Sequence, residues 1–130
     1  MKNWIPLLLF LLFCISCEDE QEIAASIEFK TGTGYTYQDA TIPKGSSITV
    51  GIVANKAENN LKKYNVSVSY DGALTTITVQ NFTISSDENT HYDKDVNFTV
   101  RNQPGTEKYY FTLADVDGNL AQRILTFKVE

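Results

Sequence analysis

The most reactive side chains in this sequence are two cysteines, Cys14 and Cys17, which lie three residues apart. This Cys-x-x-Cys spacing is used by redox-active pairs that exchange a disulfide with their substrates. Such a pair needs a folded βαβ context, whereas here an apolar segment precedes the cysteines and acidic residues follow them. The setting therefore favours a different role, in which a cysteine marks the end of a targeting segment.

The N-terminal segment has the anatomy of a signal peptide. Lys2 supplies a basic start, and residues 5–15 form an apolar stretch that is broken by Pro6. This stretch is too short to cross about 30 Å of hydrocarbon as a stable helix. Residues 1–16 are therefore interpreted as a signal peptide.

The end of this segment resembles the lipobox of bacterial lipoproteins, in which a small residue precedes the cysteine that is diacylated and becomes the new N-terminus. Ser16 and Cys17 match that pattern, whereas Cys14 stands where the family usually has leucine. Cys14 is not the modified residue on this pattern, because the bulky Phe13 precedes it. The resemblance implies that Cys17 is the lipid attachment site and that the mature chain is held at a membrane.

A run of acids, Glu18, Asp19 and Glu20, follows Cys17 at once. It resembles the surface-export signal that some Gram-negative bacteria place after the lipidated cysteine, which implies an outer-membrane protein that faces the cell exterior. The other interpretation is a solvated linker. The two are compatible, and residues 17–25 are interpreted as the lipidated cysteine and acidic linker before a domain at residues 26–130.

Residues suited to catalysis are scarce beyond the cysteines. The chain has one histidine, His91, and no nucleophile elbow that could complete a Ser-His-Asp site. A zinc site fails for the same shortage of His and Cys ligands. The run Gly32-Thr33-Gly34 lacks the lysine and the helix of a phosphate-binding loop. We therefore expect no enzyme activity and no cofactor, with His91 a solvated loop residue.

Two Asp-x-Asp pairs, Asp93 with Asp95 and Asp115 with Asp117, have a spacing at which carboxylates can share calcium. The second pair is followed by Gly-Asn, but the bidentate Glu that closes an EF-hand loop is missing downstream. Asp-Gly is also a favoured hairpin turn, because both central residues of a type I′ turn need positive φ. We therefore expect residues 115–119 to form a hairpin turn, and no metal site.

Two tyrosines, Tyr35 and Tyr37, come directly after the glycine run and are the candidate ligand-binding residues. Exposed aromatic rings can stack on a sugar or pack against a partner protein. The alternative is that both rings pack on an edge strand.

The elements that must hold these side chains are β-strands, because the hydrophobic period is two from Ser26 onward. A phase slip at Gln80-Asn81 predicts a bulge or a strand that changes sheets. Turn signals separate the strands, among them Pro43-Lys44-Gly45 and Asp71-Gly72. Seven strands are predicted around these apolar residues: Ile27 and Phe29; Ile48, Val50 and Ile52; Tyr64, Val66, Val68 and Tyr70; Leu74, Ile77, Val79, Phe82 and Ile84; Val96, Phe98 and Val100; Tyr109, Phe111 and Leu113; Leu125, Phe127 and Val129.

Seven short alternating strands predict an all-β fold, a single antiparallel immunoglobulin-like β-sandwich, with a closed barrel as the alternative. The segment from Gly105 through Tyr109-Tyr110-Phe111 to the Asp-x-Asp-Gly-Asn turn resembles the closing strands of bacterial immunoglobulin-like domains. The resemblance implies a tyrosine corner near the start of the penultimate strand and a turn leading to the final strand. The strand phase also predicts that Phe111 and Phe127 point between the sheets.

Charge narrows the range of partners. All 16 acids follow Cys17 and Lys2 precedes it, so the mature chain has a net charge of −6. An acidic body makes nucleic acid an unsuitable partner. The function predicted is that of a lipid-anchored, non-catalytic binding, adhesion or spacer module with a protein or glycan ligand. The alternatives are a glycan-binding accessory subunit of an outer-membrane uptake complex and an immunoglobulin-like protease inhibitor, the latter suggested by residues 31–35.

Overall fold

The computed structural model describes residues 22–130, which fold into eight β-strands. Residues 22–130 contain no helix that is long and apolar enough to cross a membrane. The signal peptide, Cys17 and the acids Glu18, Asp19 and Glu20 lie outside the described residues. The strands are β1 (Ser26–Phe29), β2 (Ala40–Ile42), β3 (Ser47–Asn55), β4 (Leu61–Tyr70), β5 (Ile77–Thr83), β6 (His91–Thr99), β7 (Gly105–Asp115) and β8 (Leu120–Val129).

The strands form two sheets that share one apolar core. One sheet has three strands in the order β1-β3-β6, and the other has five in the order β2-β8-β7-β4-β5. The number of strands predicted from the sequence was wrong by one, because β2 was missed. This strand has only three residues, none of them fully buried, so no alternation can be read from it. It runs parallel to the end of β8, whereas every other pair is antiparallel.

The core is built from the inward side of the predicted alternations except in β5, where Ile77 was expected inside and is 59% exposed. Phe111 and Phe127 have no exposed surface, which confirms that both point between the sheets. Aromatic contacts tie the two sheets together: Phe98 stacks on Tyr109 with ring centroids 4.3 Å apart, and Phe29 meets Phe111 edge-on at 5.3 Å. Such pairs add to the stability that burial provides.

The phase slip in the fifth strand is a bulge. In the pairing of β4 with β5, Val66 lies opposite Gln80 and Ser67 lies opposite Thr78, so Val79 is an extra residue. The strand stays in one sheet, which decides between the two predicted interpretations. Leu74, which was assigned to this strand, lies outside it and is fully exposed.

The two ends of the body differ in which chain segments they carry. The side chain of Glu22 accepts hydrogen bonds from Asn59 and Asn119, at 3.0 and 2.7 Å. The start of the described chain is therefore held against the β3–β4 and β7–β8 turns, and we call this the N-terminal end. The opposite end, which we call the far end, carries the Asp71-Gly72 turn. Both residues there have positive φ, 53° and 76°, as a type I′ turn requires.

Candidate functional site

An open groove with a volume of about 650 Å³ runs along one side of the body. It lies where the edge of the three-stranded sheet meets the edge of the five-stranded sheet, and we call it the β1–β8 groove. Its walls are residues 28–29, 37–39 and 122–125. Because ligand sites are usually concave, we consider a binding role for this groove.

The groove is open because β2 covers only part of the edge of β8. β2 pairs with residues 127–129, so no strand within residues 22–130 pairs with residues 120–125 on that side. The Asp39 carboxylate marks the boundary between the open and the covered part of the β8 edge, because its Oδ1 accepts a hydrogen bond from the main-chain N–H of Thr126 at 2.8 Å. A side chain thus satisfies the last edge donor before β2 begins.

Arg123 holds the two sheets together at this edge. It lies in register with Phe111, on the side of β8 that faces the core. Its Nε donates a hydrogen bond to the main-chain oxygen of Ile27 at 2.8 Å, so a residue of β8 bonds to β1 across the groove. The sequence analysis missed Arg123, although the period of two through Leu125 and Phe127 extends to it.

The two candidate tyrosines have different surroundings. Tyr37 lines the β1–β8 groove and is about one-third exposed, at 36%. Tyr35 is half-buried on the outer face of the three-stranded sheet, where its hydroxyl donates to Asp95 at 3.0 Å. The ring of Tyr35 is therefore engaged by its own fold, and the role of the pair in binding a ligand stays a prediction.

Asp93 and Asp95 hold the ammonium group of Lys30, which reaches them across β3. The hydrogen bonds that Lys30 donates to both carboxylates raise the pKa of Lys30, and the bond to Asp95 is the main reason that the pKa of Asp95 is lowered. This ion-pair cluster needs Gly51 beneath it. A Cβ there would lie 2.6 Å from Cδ of Lys30 and 2.8 Å from the Asp95 carboxylate.

The second aspartate pair forms the hairpin turn that the sequence predicted. Oδ1 of Asp115 accepts hydrogen bonds from the main-chain N–H groups of Asp117 and Asn119, both at 2.9 Å, and Gly118 has a φ of 87°. Burial would raise the pKa of Asp115, but these hydrogen bonds and that from the Asn119 side chain hold it below its usual value. The pKa of Asp117 is raised by the nearby charge of Glu22. No cluster of three or more His, Cys, Asp or Glu side chains suited to a metal ion occurs in residues 22–130.

A buried charge network at the far end was not foreseen. Glu107 is fully buried, and its carboxylate accepts hydrogen bonds from Arg101 and from the hydroxyl of Tyr109. Tyr109 therefore bonds to a side chain, where the family resemblance implied a tyrosine corner. Arg101 continues to Asp71 at 3.1 Å and lies over the ring of Tyr70 at 4.0 Å. The alternation of Tyr109, Phe111 and Leu113 extends along β7 to Glu107 and Asp115. Following it to both ends of the strand would have revealed the two buried acids.

Hydrogen bonds to Asp71 couple this network weakly to pH. The hydrogen bond from Arg101, followed by that from the N–H of Thr106, lowers the pKa of Asp71. A lowered carboxylate pKa stabilises the fold at neutral pH, and that contribution is lost as the pH falls through the lowered value. Asp71 is at the surface, so solvent limits the effect.

His91 was expected in a loop, but it is the first residue of β6. It is exposed, and its Nδ1 lies 2.6 Å from Oδ1 of Asn55 at the end of β3. The two residues are directly opposite each other in the register of β3 and β6. His91 thus takes part in a cross-strand pair, a structural role.

No protein-family model and no curated protein sequence matches this chain. Among solved structures, a family 123 glycoside hydrolase from Clostridium perfringens matches with a TM-score of 0.52 at 8% identity, over 83% of this chain and 27% of that chain. The alkylpurine DNA glycosylase AlkC from Pseudomonas fluorescens matches with a TM-score of 0.52 at 12% identity, over 85% of this chain and 31% of that chain. The chain spans less than a third of either protein, and at this identity the likeness concerns the fold alone. The class defined here is an all-β protein with two mostly antiparallel sheets.

Proposed function

We propose that this chain is a lipid-anchored protein of a Gram-negative outer membrane, whose immunoglobulin-like β-sandwich acts as a non-catalytic binding module at the cell surface. The observation that carries the proposal is the position of Glu22, which is bound at one end of the body five positions after Cys17. An anchor at Cys17 would hold the N-terminal end near the membrane. The β1–β8 groove and the far end would then be open to a ligand.

The sheet order supports the immunoglobulin-like part of this proposal. A three-stranded sheet faces a five-stranded one. The chain crosses between the sheets several times, because β3 and β6 lie in one sheet while β4, β5 and β7 lie in the other. Sandwiches of this kind place the binding surfaces of many cell-surface proteins on loops or sheet edges.

A binding role is preferred to catalysis because the charged clusters described above bond among themselves. Lys30 is held by two aspartates, and Arg101 by Asp71 and Glu107. A catalytic acid or base would need a geometry in which it reaches a substrate. The groove offers a different chemistry, because an aromatic residue, Tyr37, and residues 122–125 of β8 line it together. Either a protein or a glycan ligand is compatible with such a surface.

The lipid anchor is tested at Cys17. We expect the Cys17→Ser protein to lose incorporation of a palmitate analogue in living cells, because only Cys17 follows a small residue and precedes a hydrophilic chain. Cys14→Ser is the matched control and should retain the label. Label that persists in Cys17→Ser and disappears in Cys14→Ser would move the attachment site and contradict the proposal.

The acidic run is tested separately from the anchor. Replacing Glu18, Asp19 and Glu20 together by Ala should preserve lipid labelling and turn the domain to the periplasmic face, so that protease added outside cells no longer degrades it. The matched control replaces three exposed acids of the folded body and so changes the net charge equally: Glu58, Asp87 and Glu88. If the triple variant stays as accessible as the parent protein, the acids are a linker alone.

A further inference from the structure

The edge of β8 at residues 120–125 presents free main-chain groups beside the β1–β8 groove. Odd-numbered residues of β8 bond to β7, as the 3.1 Å hydrogen bond from Asp115 N–H to the Asn119 oxygen and the register show. Even-numbered residues therefore point the other way, as do the N–H groups of Thr126 and Glu130, which bond to Asp39 and Ile42. Gln122 and Ile124, nearer the start of β8, have no such partner among residues 22–130.

The other sheet edges in residues 22–130 each have a feature that opposes strand addition. β5 is bulged at Val79, and β6 carries three charged residues in succession, Asp93, Lys94 and Asp95. β1 and β2 have only four and three residues. The open part of β8 has none of these features. Its register with β7 has no shift, and it carries exposed aliphatic side chains at Leu120 and Ile124, 63% and 41% exposed.

The groove adds a place for side chains to this main-chain edge. Successive side chains of an added strand would point alternately to the outer face beside Ile124 and into the groove beside Phe29 and Tyr37. Two acids, Glu28 and Asp39, and one cation, Arg123, also line the groove, so its lining carries a net charge of 1 − 2 = −1. The groove therefore favours apolar side chains together with a positive charge.

We propose that this edge binds an extended peptide segment of a partner protein as an added strand, with apolar residues at alternate positions and a Lys or Arg facing Glu28 and Asp39. The proposal rests on the proposed function as a binding module and names its ligand. Main-chain hydrogen bonds to Gln122 and Ile124 supply the affinity, and the groove supplies the selectivity. A second copy is a poorer occupant, because antiparallel pairing of two β8 edges would turn one copy's N-terminal end away from a shared membrane.

The test measures amide hydrogen exchange, residue by residue, in the full chain purified in detergent. The probe is a synthetic ten-residue peptide in which valine alternates with threonine and lysine. We expect saturating peptide to slow exchange at Gln122 and Ile124 by about tenfold or more. Arg123 and Leu125 serve as internal controls, because their N–H groups already bond to β7 and should change little.

Two further arms isolate the main-chain contact. The same peptide with N-methyl groups along one edge cannot pair and should bind at least about tenfold more weakly, with the protein itself unaltered. Ile124→Pro removes an outward N–H without removing a bond to β7 and should abolish protection, whereas the matched Ile124→Thr variant retains that N–H and should still bind.

Four outcomes would overturn the proposal. The first is that Gln122 and Ile124 are not protected at about 1 mM peptide, and the second is that the N-methylated peptide binds equally well. The third is protection that grows with protein concentration in the absence of peptide, and the fourth is protection by a polysaccharide in place of the peptide. None of them bears on the labelling of Cys17, so failure of this proposal is distinguishable from failure of the proposed anchor.

Discussion

Replacing Phe111 by Ala is expected to lower the free energy of unfolding by about 3–5 kcal/mol, a large part of the 5–15 kcal/mol typical of a small domain. Phe111 has no exposed surface and lies in β7, in the middle of the five-stranded sheet. Truncation removes its contact with Phe29, which is the aromatic contact to β1, and leaves a cavity that the surrounding strands cannot fill. The Phe127→Ala variant, with an equally buried ring, is expected to lose a similar amount.

The measurement is equilibrium unfolding in denaturant, with the midpoint read at an unchanged slope. Thr112→Ala is the matched control, because Thr112 follows Phe111 on the outward side of β7 and should cost no more than about 1 kcal/mol. A midpoint for Phe111→Ala that stays near that of Thr112→Ala would show that the core tolerates the loss of this ring.

Replacing Arg101 by Met is expected to destabilise the fold by about 3–5 kcal/mol, because it leaves the buried carboxylate of Glu107 without its charged partner. Oε2 of Glu107 accepts hydrogen bonds from the N–H and the Nε of Arg101, both at 3.1 Å. Oε1 accepts the hydroxyl of Tyr109 at 2.7 Å. Burial, together with the hydrogen bond to Glu107, raises the pKa of Tyr109, so this hydroxyl stays protonated and donates.

A double-mutant cycle separates the ion pair from simple packing. Glu107→Gln alone removes the negative charge, and combining it with Arg101→Met should recover part of the lost stability, because no buried charge then lacks a partner. Tyr109→Phe removes one hydrogen bond and is expected to cost about 1–2 kcal/mol. Additive effects of Arg101→Met and Glu107→Gln would contradict a direct interaction between the two side chains.

The strands were predictable because a residue pattern of period two carries its own burial signal. In β6, Val96 and Phe98 are buried while Asp95 and Asn97 face outward, as the alternation implies. The Asp71-Gly72 turn was equally local, since its backbone conformation depends on the residue types alone. The hairpin at Asp115 was local too, although there only Gly118 has positive φ and the Asp115 side chain accepts the main-chain N–H groups of the turn.

Charged residues on inward positions were the main feature that the pattern concealed. Glu107 is fully buried at an inward position of β7, whereas at the corresponding phase Arg123 in β8 is exposed and Lys94 in β6 is half-buried, with its ammonium 4.5 Å from the ring centroid of Phe82. Hydropathy assigns such residues to the surface, because a charge is buried only where partners offset its desolvation. The partners of Glu107 are Tyr109 and Arg101, only two and six positions away, so hydropathy and not chain distance concealed this site.

The sequence by itself determined the all-β class, the position of seven strands, the inward side of all but β5 and the chemistry of the turns, because these depend on neighbours one to four positions away. Only the tertiary structure decided how the strands divide between two sheets, that Lys30 meets Asp95 across 65 positions, and that β2 stops short on β8. These contacts join residues that are far apart in the chain, and they depend on which strand edges meet once the core has closed. The groove exists for the same reason, since an open edge is a property of a sheet and not of any one strand.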